Sequence, residues 1–388
     1  DLHKAIRRQR QMCIRDSPYM QEKKVLVAMS GGIDSSAVCL MLLDQGYEVI
    51  GMTMRVWDLP QQFSSGNEQP DFIVKAQNLA HRLGIEHHVI DVRESFRNTV
   101  VDYFLNEYRS GRTPNPCVLC NKQFKFRLLA ELADRLKCPH IATGHYVRTQ
   151  HKDGFTYLMM GDDLRKDQSY FLWRVPQAIL SRCLFPLGTT EKSEVRKYLR
   201  QKGFEWESQQ SESMEICFVE NDYRDFLREQ MPHLAKEVEG GFFVDATGRK
   251  LGSHKGVPFY TVGQRKGLGI ALGHPAYVLR LNAEKNTVVL GEEKDLLTNA
   301  FFVENAEIIQ EEEFFNATDL TVRIRYHSQP VHCSVEKLES NRMLVRTPQP
   351  VSAVTPGQSA VFYIGQRIVG GAIIASQKGI GAYNSINL

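Results

Sequence analysis

The chain has 388 residues, 42% hydrophobic and 24% charged, with 48 Lys and Arg against 45 Asp and Glu for a net charge of +3. That length exceeds one compact core and predicts two or three domains, while the composition excludes a disordered chain, a collagen and a simple coiled coil. No apolar run approaches the roughly 18 residues of a membrane span, and eight cysteines behind no secretory signal suit a reducing, cytoplasmic setting where a special cysteine is chemical rather than structural.

In chain order, residues 1–22 are basic and lack an apolar core, so they read as an extension, either non-native or a flexible basic arm. From Lys23 the pattern alternates: VLVAM (25–29) as strand, 35–45 as helix, EVIGMTM (48–54) as strand, 70–84 as helix, HHVIDV (87–92) as strand, 94–109 and 121–137 as helices, HIAT (140–143) as strand. Strands separated by helices predict an α/β doubly wound parallel sheet covered on both faces, with ligands beyond the carboxyl ends of the strands. The alternation stops before about residue 225. A glycine-rich stretch to 292 follows, in which YVLRL (277–281) and TVVLG (287–291) flank a hairpin turn. Beyond residue 300, LTVRIRY, HCSVEKL, RMLVRT, QSAVFYI and RIVGGAIIA read as strands of a small closed β-barrel. The predicted domains are 23–224 (catalytic), 225–292 (small, central, β-rich) and 293–378 (barrel), with a tail at 379–388.

SGGIDSS (30–36) joins the first strand to the first helix. Glycines admit an anion close to the backbone, the helix start offers N–H groups and a positive dipole end, and Ser30, Ser35 and Ser36 add hydroxyls. Asp34 is placed to hold magnesium on a bound phosphate. The plainer alternative is a Gly-rich turn with an Asp or Ser cap. GRTPNPCVLCNKQFKF (111–126) carries Cys117 and Cys120 in a CxxC, with a helix predicted from about Asn121. A thiol at a helix start near Lys122 and Lys125 has a lowered pKa; half of a zinc site is the alternative, without a second CxxC to complete it. Cys217, between Ile216 and Phe218, reads on its own as a core residue. So do Cys39, Cys138, Cys183 and Cys333, and Cys13 falls in the extension.

Seven blocks in order, AMSGGIDSS, GRTPNPCVLCNKQFKF, ATGHYVR, KDQSYFL, SMEICFV, YTVGQRKGLGI and TPGQSAVFY, make residues 23–376 resemble the bacterial tRNA-specific 2-thiouridylases, a branch of the PP-loop ATP pyrophosphatases. The resemblance implies a PP-loop domain of adenine nucleotide alpha hydrolase type, a small central domain and a C-terminal barrel. It implies sulfur insertion at C2 of a tRNA wobble uridine, with ATP and Mg2+, and a cysteine desulfurase or sulfur-relay protein as donor. Cys120 takes the family's nucleophile position and Cys217 its persulfide carrier, with a disulfide between them in the cycle. Either Cys120 attacks the persulfide or the persulfide attacks the base directly. Some members carry Asp where Cys117 stands, so a base role there does not carry over. ATP is implied on Ala28, Met29, Ser30, Gly31, Gly32, Ile33, Asp34 and Ser35, with Met54 and Gly144. tRNA is implied on Asn115, Pro116 and Cys117 (the target base), His145, Lys166, Asp167, Gln168, Arg325, Tyr326 and Gln358.

The charge distribution points to RNA independently. Residues 248–285 hold seven Lys/Arg and one Glu, residues 103–149 hold eight against three acids, and residues 292–319 hold nine acids and one Lys. Basic segments able to track phosphates thus hide inside a small net charge. Two other readings make different predictions. Another PP-loop ligase would work without Cys120 and Cys217, and a zinc-bearing RNA-binding module would hold stoichiometric zinc and leave ATP intact.

Overall fold

The structure, a computed structural model, describes residues 23–59, 62, 69–205, 216–338 and 341–377. The extension 1–22, the tail 379–388 and Ser213–Glu215 of the SMEICFV block lie outside the described residues. The chain divides into two compact units, one from residues up to Arg97 plus Leu119–Phe218, the other from Asn98–Val118 plus Val219 onward.

In the first unit, strands β1 (Lys24–Ala28), β2 (Glu48–Arg55), β3 (Glu86–Asp91), β4 (His140–Ala142) and, after the antiparallel hairpin β5 (Val147–Lys152) and β6 (Phe155–Met160), β7 (Cys183–Leu184) follow one another. Five of them form a sheet of order β3-β2-β1-β4-β7, parallel throughout. The winding direction reverses between β1 and β4, which opens a crevice at their carboxyl ends. Apolar β1 residues such as Val25 and Val27 pack with Ala37, Val38 and Leu42 of the helix Ile33–Asp44. Val195 and Leu199, on one face of the helix Lys192–Gln201, join that core. This last helix escapes a sequence reading because half of its residues are charged; Val195 and Leu199, four apart, are its buried apolar residues, with Tyr198 packed partly beside them.

The second unit holds the segment 98–118, which the alternation assigns to the catalytic domain. Its packing explains the grouping: Tyr108 stacks on Tyr223 at 4.4 Å between ring centroids, and Phe104 meets Phe226 edge-on. A four-stranded sheet follows, made of β8 (Gly241–Val244), β9 (Lys250–His254), β10 (Tyr277–Asn282) and β11 (Thr287–Gly291), in the order β10-β11-β8-β9. β10 and β11 form the expected hairpin.

The barrel comprises β12 (Leu297–Ile308), β13 (Leu320–Arg323), β14 (Val331–His332), β15 (Ser334–Lys337), β16 (Arg342–Ser352), β17 (Ser359–Ile364) and β18 (Arg367–Ile374), antiparallel in the order β14-β13-β17-β18-β12-β16-β15. The two ends of that order, β14 and β15, are one stretch interrupted only at Cys333, so HCSVEKL closes the ring. β12 lies inside the most acidic segment and carries two register shifts. Those irregularities break the period of two on which a strand is recognised.

Candidate active site

The SGGIDSS loop leaves β1 at the crevice. Gly31 has φ +71°, and a Cβ there would lie 2.3 Å from the Phe72 carbonyl oxygen, so only glycine closes the turn. Gly32 precedes the helix Ile33–Asp44, and no side chain caps it. The Asp/Ser-cap alternative is therefore overturned, and the first N–H groups are left for an anion. The Ser35 and Ser36 hydroxyls donate back to the Gly32 carbonyl at 3.1 and 2.9 Å, and Ser36 is buried. Those two hydroxyls brace the loop rather than face a ligand, while Ser30 is exposed. Met29 donates its N–H to the Met52 carbonyl and accepts from the Thr53 hydroxyl, which brings the end of β2, and half-buried Met54 two residues on, beside the loop. From the other wall Gly144 touches the helix start: a Cβ on it would come within 3.0 Å of Asp34 Cβ. Ala28 and Ile33 complete the loop, Ala28 half-buried and Ile33 in the core.

Asp34 meets a residue that sequence reasoning missed. Lys192 Nζ donates to both carboxylate oxygens at 2.6 and 2.7 Å, and the Tyr146 hydroxyl donates to one of them at 2.7 Å. The Lys192 ammonium also lies 5.6 Å from the Tyr146 ring centroid. Its helix runs alongside the helix Ile33–Asp44 and is tied at the far end too, where Lys202 Nζ and the Tyr198 hydroxyl reach Asp44 at 2.6 and 2.8 Å. The equal ten-residue spacing of Asp34–Asp44 and Lys192–Lys202 fits two helices side by side. Lys192 is the first residue of its helix, under a capping box of Glu191 and Glu194, where the helix dipole disfavours a cation. That local misfit is the one sequence signal that marked it.

Cys120 differs from its expected placement. The helix begins at Pro116, a favoured first-turn residue, so Cys120 ends the segment Pro116–Cys120 and is followed by a π-helical turn, Asn121–Lys125, and the helix Phe126–Arg135. It is not at a helix start. Burial pushes its thiol above the usual range, with Lys125 pulling the other way, and the expected lowered pKa is corrected to a raised one. Lys125 is the cation that acts on it. Cys217 is exposed, while its neighbour Phe218 is 1% exposed; neither thiol is in a disulfide. Burial pushes Cys39 and Cys333 up to about 12, Cys138 up to about 11 and Cys183 higher still, in keeping with no chemistry there. Among the described residues no group of three His, Cys, Asp or Glu is arranged to hold a metal.

These thiols predict an ordered alkylation. Iodoacetamide at pH 8 should modify Cys217 first. Cys120 should follow slowly, its rate still climbing as pH rises past the ordinary thiol range, because a raised pKa delays thiolate formation. Peptide mapping by mass spectrometry reads the order, and Cys120 reacting fastest near pH 7 would contradict it.

Of the residues expected to meet RNA, several serve the frame. His145 is buried, its Nδ1 2.6 Å from the Thr143 hydroxyl and its ring stacked on Phe126. Burial, with Lys125 acting the same way, holds its imidazole neutral. Asp167 is 2% exposed and accepts from Gly161 N–H and from the N–H and hydroxyl of Ser169. Gln168 accepts the Tyr146 N–H at 3.1 Å, so the KDQ segment fixes Tyr146, which in turn touches Asp34. Lys166 is half-buried beside them.

In the second unit Gln358 donates to the Thr113 and Pro114 carbonyls at 3.2 and 2.9 Å, and Thr113 N–H donates to Pro356. Arg112 bridges Glu107 and Glu304. The barrel thereby clamps the stretch leading to buried Asn115 and Pro116 and half-buried Cys117. Arg325 is exposed and donates to the Ala353 carbonyl at 2.6 Å, beside half-buried Tyr326.

Comparison with known proteins adds the following. Residues 23–221 match the family model described as a tRNA methyl transferase HUP domain, residues 224–292 a tRNA methyl transferase PRC-barrel domain, and residues 298–374 an aminomethyltransferase beta-barrel domain. The chain is 58% identical over 361 residues, 93% of its length and 96% of the relative's, to the tRNA-specific 2-thiouridylase MnmA 3 of Phocaeicola vulgatus. It is 44% identical over 377 residues, 95% and 99% of the two lengths, to the tRNA-specific 2-thiouridylase MnmA of Amoebophilus asiaticus. A third relative, the tRNA-specific 2-thiouridylase MnmA of Carboxydothermus hydrogenoformans, is 43% identical over 360 residues, 91% and 97% of the two lengths.

Proposed function

The chain belongs to the tRNA-specific 2-thiouridylase family, an ATP-using tRNA sulfurtransferase of PP-loop type, and from that premise we propose how its residues divide the work. The observation that carries the proposal is the presence, in one unit, of an uncapped phosphate loop at the sheet's reversal point together with one half-buried and one exposed thiol.

Uridine O2 is a poor leaving group. Its attack on the α-phosphate of ATP expels pyrophosphate and leaves AMP on the oxygen, a good leaving group. Residues 28–35 hold the phosphates through the loop amides, with Met54 and Gly144 walling the crevice. Lys192 stands where it can follow the negative charge that grows on the departing pyrophosphate. Asp34 is the residue that would hold magnesium, an ion that takes most of its ligands from phosphates and water; since its oxygens accept from Lys192 and Tyr146, magnesium would take the place of the ammonium there and release Lys192 toward the phosphates. Bound there, magnesium would offset phosphate charge.

Sulfur arrives as a persulfide on Cys217, whose exposure suits loading by a cysteine desulfurase or relay protein. On one route Cys120 thiolate attacks Cys217 Sγ, forms the Cys120–Cys217 disulfide and releases hydrosulfide, which displaces AMP at C2. On the other the terminal persulfide sulfur displaces AMP, and Cys120 then attacks Cys217 Sγ to free the thiouridine. Both leave the same disulfide, which a dithiol reductant must reopen. Asn115, Pro116 and Cys117, held by the Gln358 clamp, are assigned to the extruded wobble base. Lys166, Arg325 and Tyr326 are assigned to the RNA surface, and His145, Asp167 and Gln168 to shaping the wall they contact. The reducing chemistry suits the cytoplasm, and among the described residues no helix is long and apolar enough to cross a membrane.

The test is a reconstitution with unmodified tRNA, ATP, magnesium and a persulfide donor. Nucleoside analysis should find 2-thiouridine in step with AMP, and chelating magnesium should stop both. AMP without 2-thiouridine would refute the reading.

A further inference from the structure

Cys217 and Cys120 sit next to two ends of one buried aromatic row. Phe218, the residue after Cys217, packs edge-on against Phe96 with ring centroids 5.7 Å apart, and Phe96 packs edge-on against Phe124, also at 5.7 Å. Phe124 lies four residues after Cys120, in the π-helical turn. All three rings are essentially buried, at 1, 0 and 3% exposure. Trp57, just past the end of β2 at the crevice, meets Phe218 at 6.3 Å, with the Arg97 guanidinium 5.9 Å from its ring centroid. One intervening ring thus connects the ring next to the exposed thiol to a ring one helical turn from the half-buried one. Burying a phenylalanine ring is worth about 2 kcal/mol or more, so Phe218 is the fixed point from which the adjoining Cys217 extends.

We propose that Phe218 is the positioning residue of sulfur delivery: docked between Phe96 and Trp57, it acts as the pivot that sets the reach of Cys217 toward Cys120. The proposal rests on the carrier role given to Cys217 above. It requires no change in the adenylation step, whose groups lie on the phosphate loop, and none in the reactivity of adenylated uridine toward free sulfide, which needs no carrier.

The test compares two sulfur sources in the full-length enzyme with tRNA, ATP and magnesium. Phe218→Ala should lower persulfide-driven thiolation roughly a hundredfold, the scale of a misplaced reacting group. Thiolation driven by inorganic sulfide and AMP formation should be unchanged. Phe218→Leu, which keeps most of the buried volume, should lie between wild type and Phe218→Ala. Phe96→Leu, which alters the middle ring without adjoining either cysteine, should show the same selective loss and keeps the test open if Phe218→Ala fails to fold. Equal loss with both sulfur sources in the leucine variants, or no loss with either, overturns the proposal. Cys217→Ser is the control for the premise: if it retains persulfide-driven thiolation, the carrier assignment fails, whatever the phenylalanine variants do.

Discussion

Replacing Cys120 by serine should stop persulfide-driven 2-thiouridine formation, by roughly a thousandfold or more as for removal of other nucleophiles. The tRNA should still be adenylated, since the phosphate loop is untouched. What accumulates separates the two routes. If Cys120 liberates hydrosulfide, the variant stalls with adenylated tRNA and an intact Cys217 persulfide. If the persulfide attacks the base first, the variant traps tRNA joined to Cys217 through a disulfide, because the thiol that resolves it is missing. Denaturing gel electrophoresis with and without reductant distinguishes these outcomes. Thiolation at the wild-type rate would remove Cys120 from the mechanism.

The second large effect is expected at Lys192. Lys192→Met should lower the rate of pyrophosphate release roughly a hundredfold, the scale of losing one preorganised charge at a developing anion. The Asp34 carboxylate would then face the phosphates without its cation. The helix should stay in place, because Val195 and Leu199 remain in the core and Asp44 still holds Tyr198 and Lys202. Thermal melting should therefore change little while pyrophosphate release falls. A melting temperature lowered by many degrees with turnover retained would show Lys192 to be a structural tether and nothing more.

Much of the site is legible in the sequence because it is local. A Gly-rich heptapeptide after an apolar strand needs no knowledge of distant residues to predict an anion site, and the sheet order places it at the reversal point. Legibility fails where function depends on contacts across the chain. Lys192 lies 158 positions from Asp34, in a helix with only two buried aliphatic residues. The cysteine helix starts five residues earlier than expected because Pro116 is an ordinary first residue of a helix. Burial, which depends on contacts across the chain, is the dominant influence on the Cys120 thiol and raises its pKa. Asp167 and Gln168 look like surface polar residues in sequence, yet they spend their side chains on backbone N–H groups. Phe218 gives no signal apart from being apolar; its meaning lies in the rings it meets.

On the proposed mechanism sulfur passes from Cys217 with Cys120 supplying the electrons that release it, and one turnover measures this directly. Enzyme persulfidated at Cys217 is mixed with unmodified tRNA, ATP and magnesium without reductant, then quenched in acid. The 2-thiouridine formed and the Cys120–Cys217 disulfide, the latter by peptide mass mapping, are counted together. The account predicts one disulfide for each 2-thiouridine. A full yield of 2-thiouridine with both cysteines recovered as thiols would contradict it.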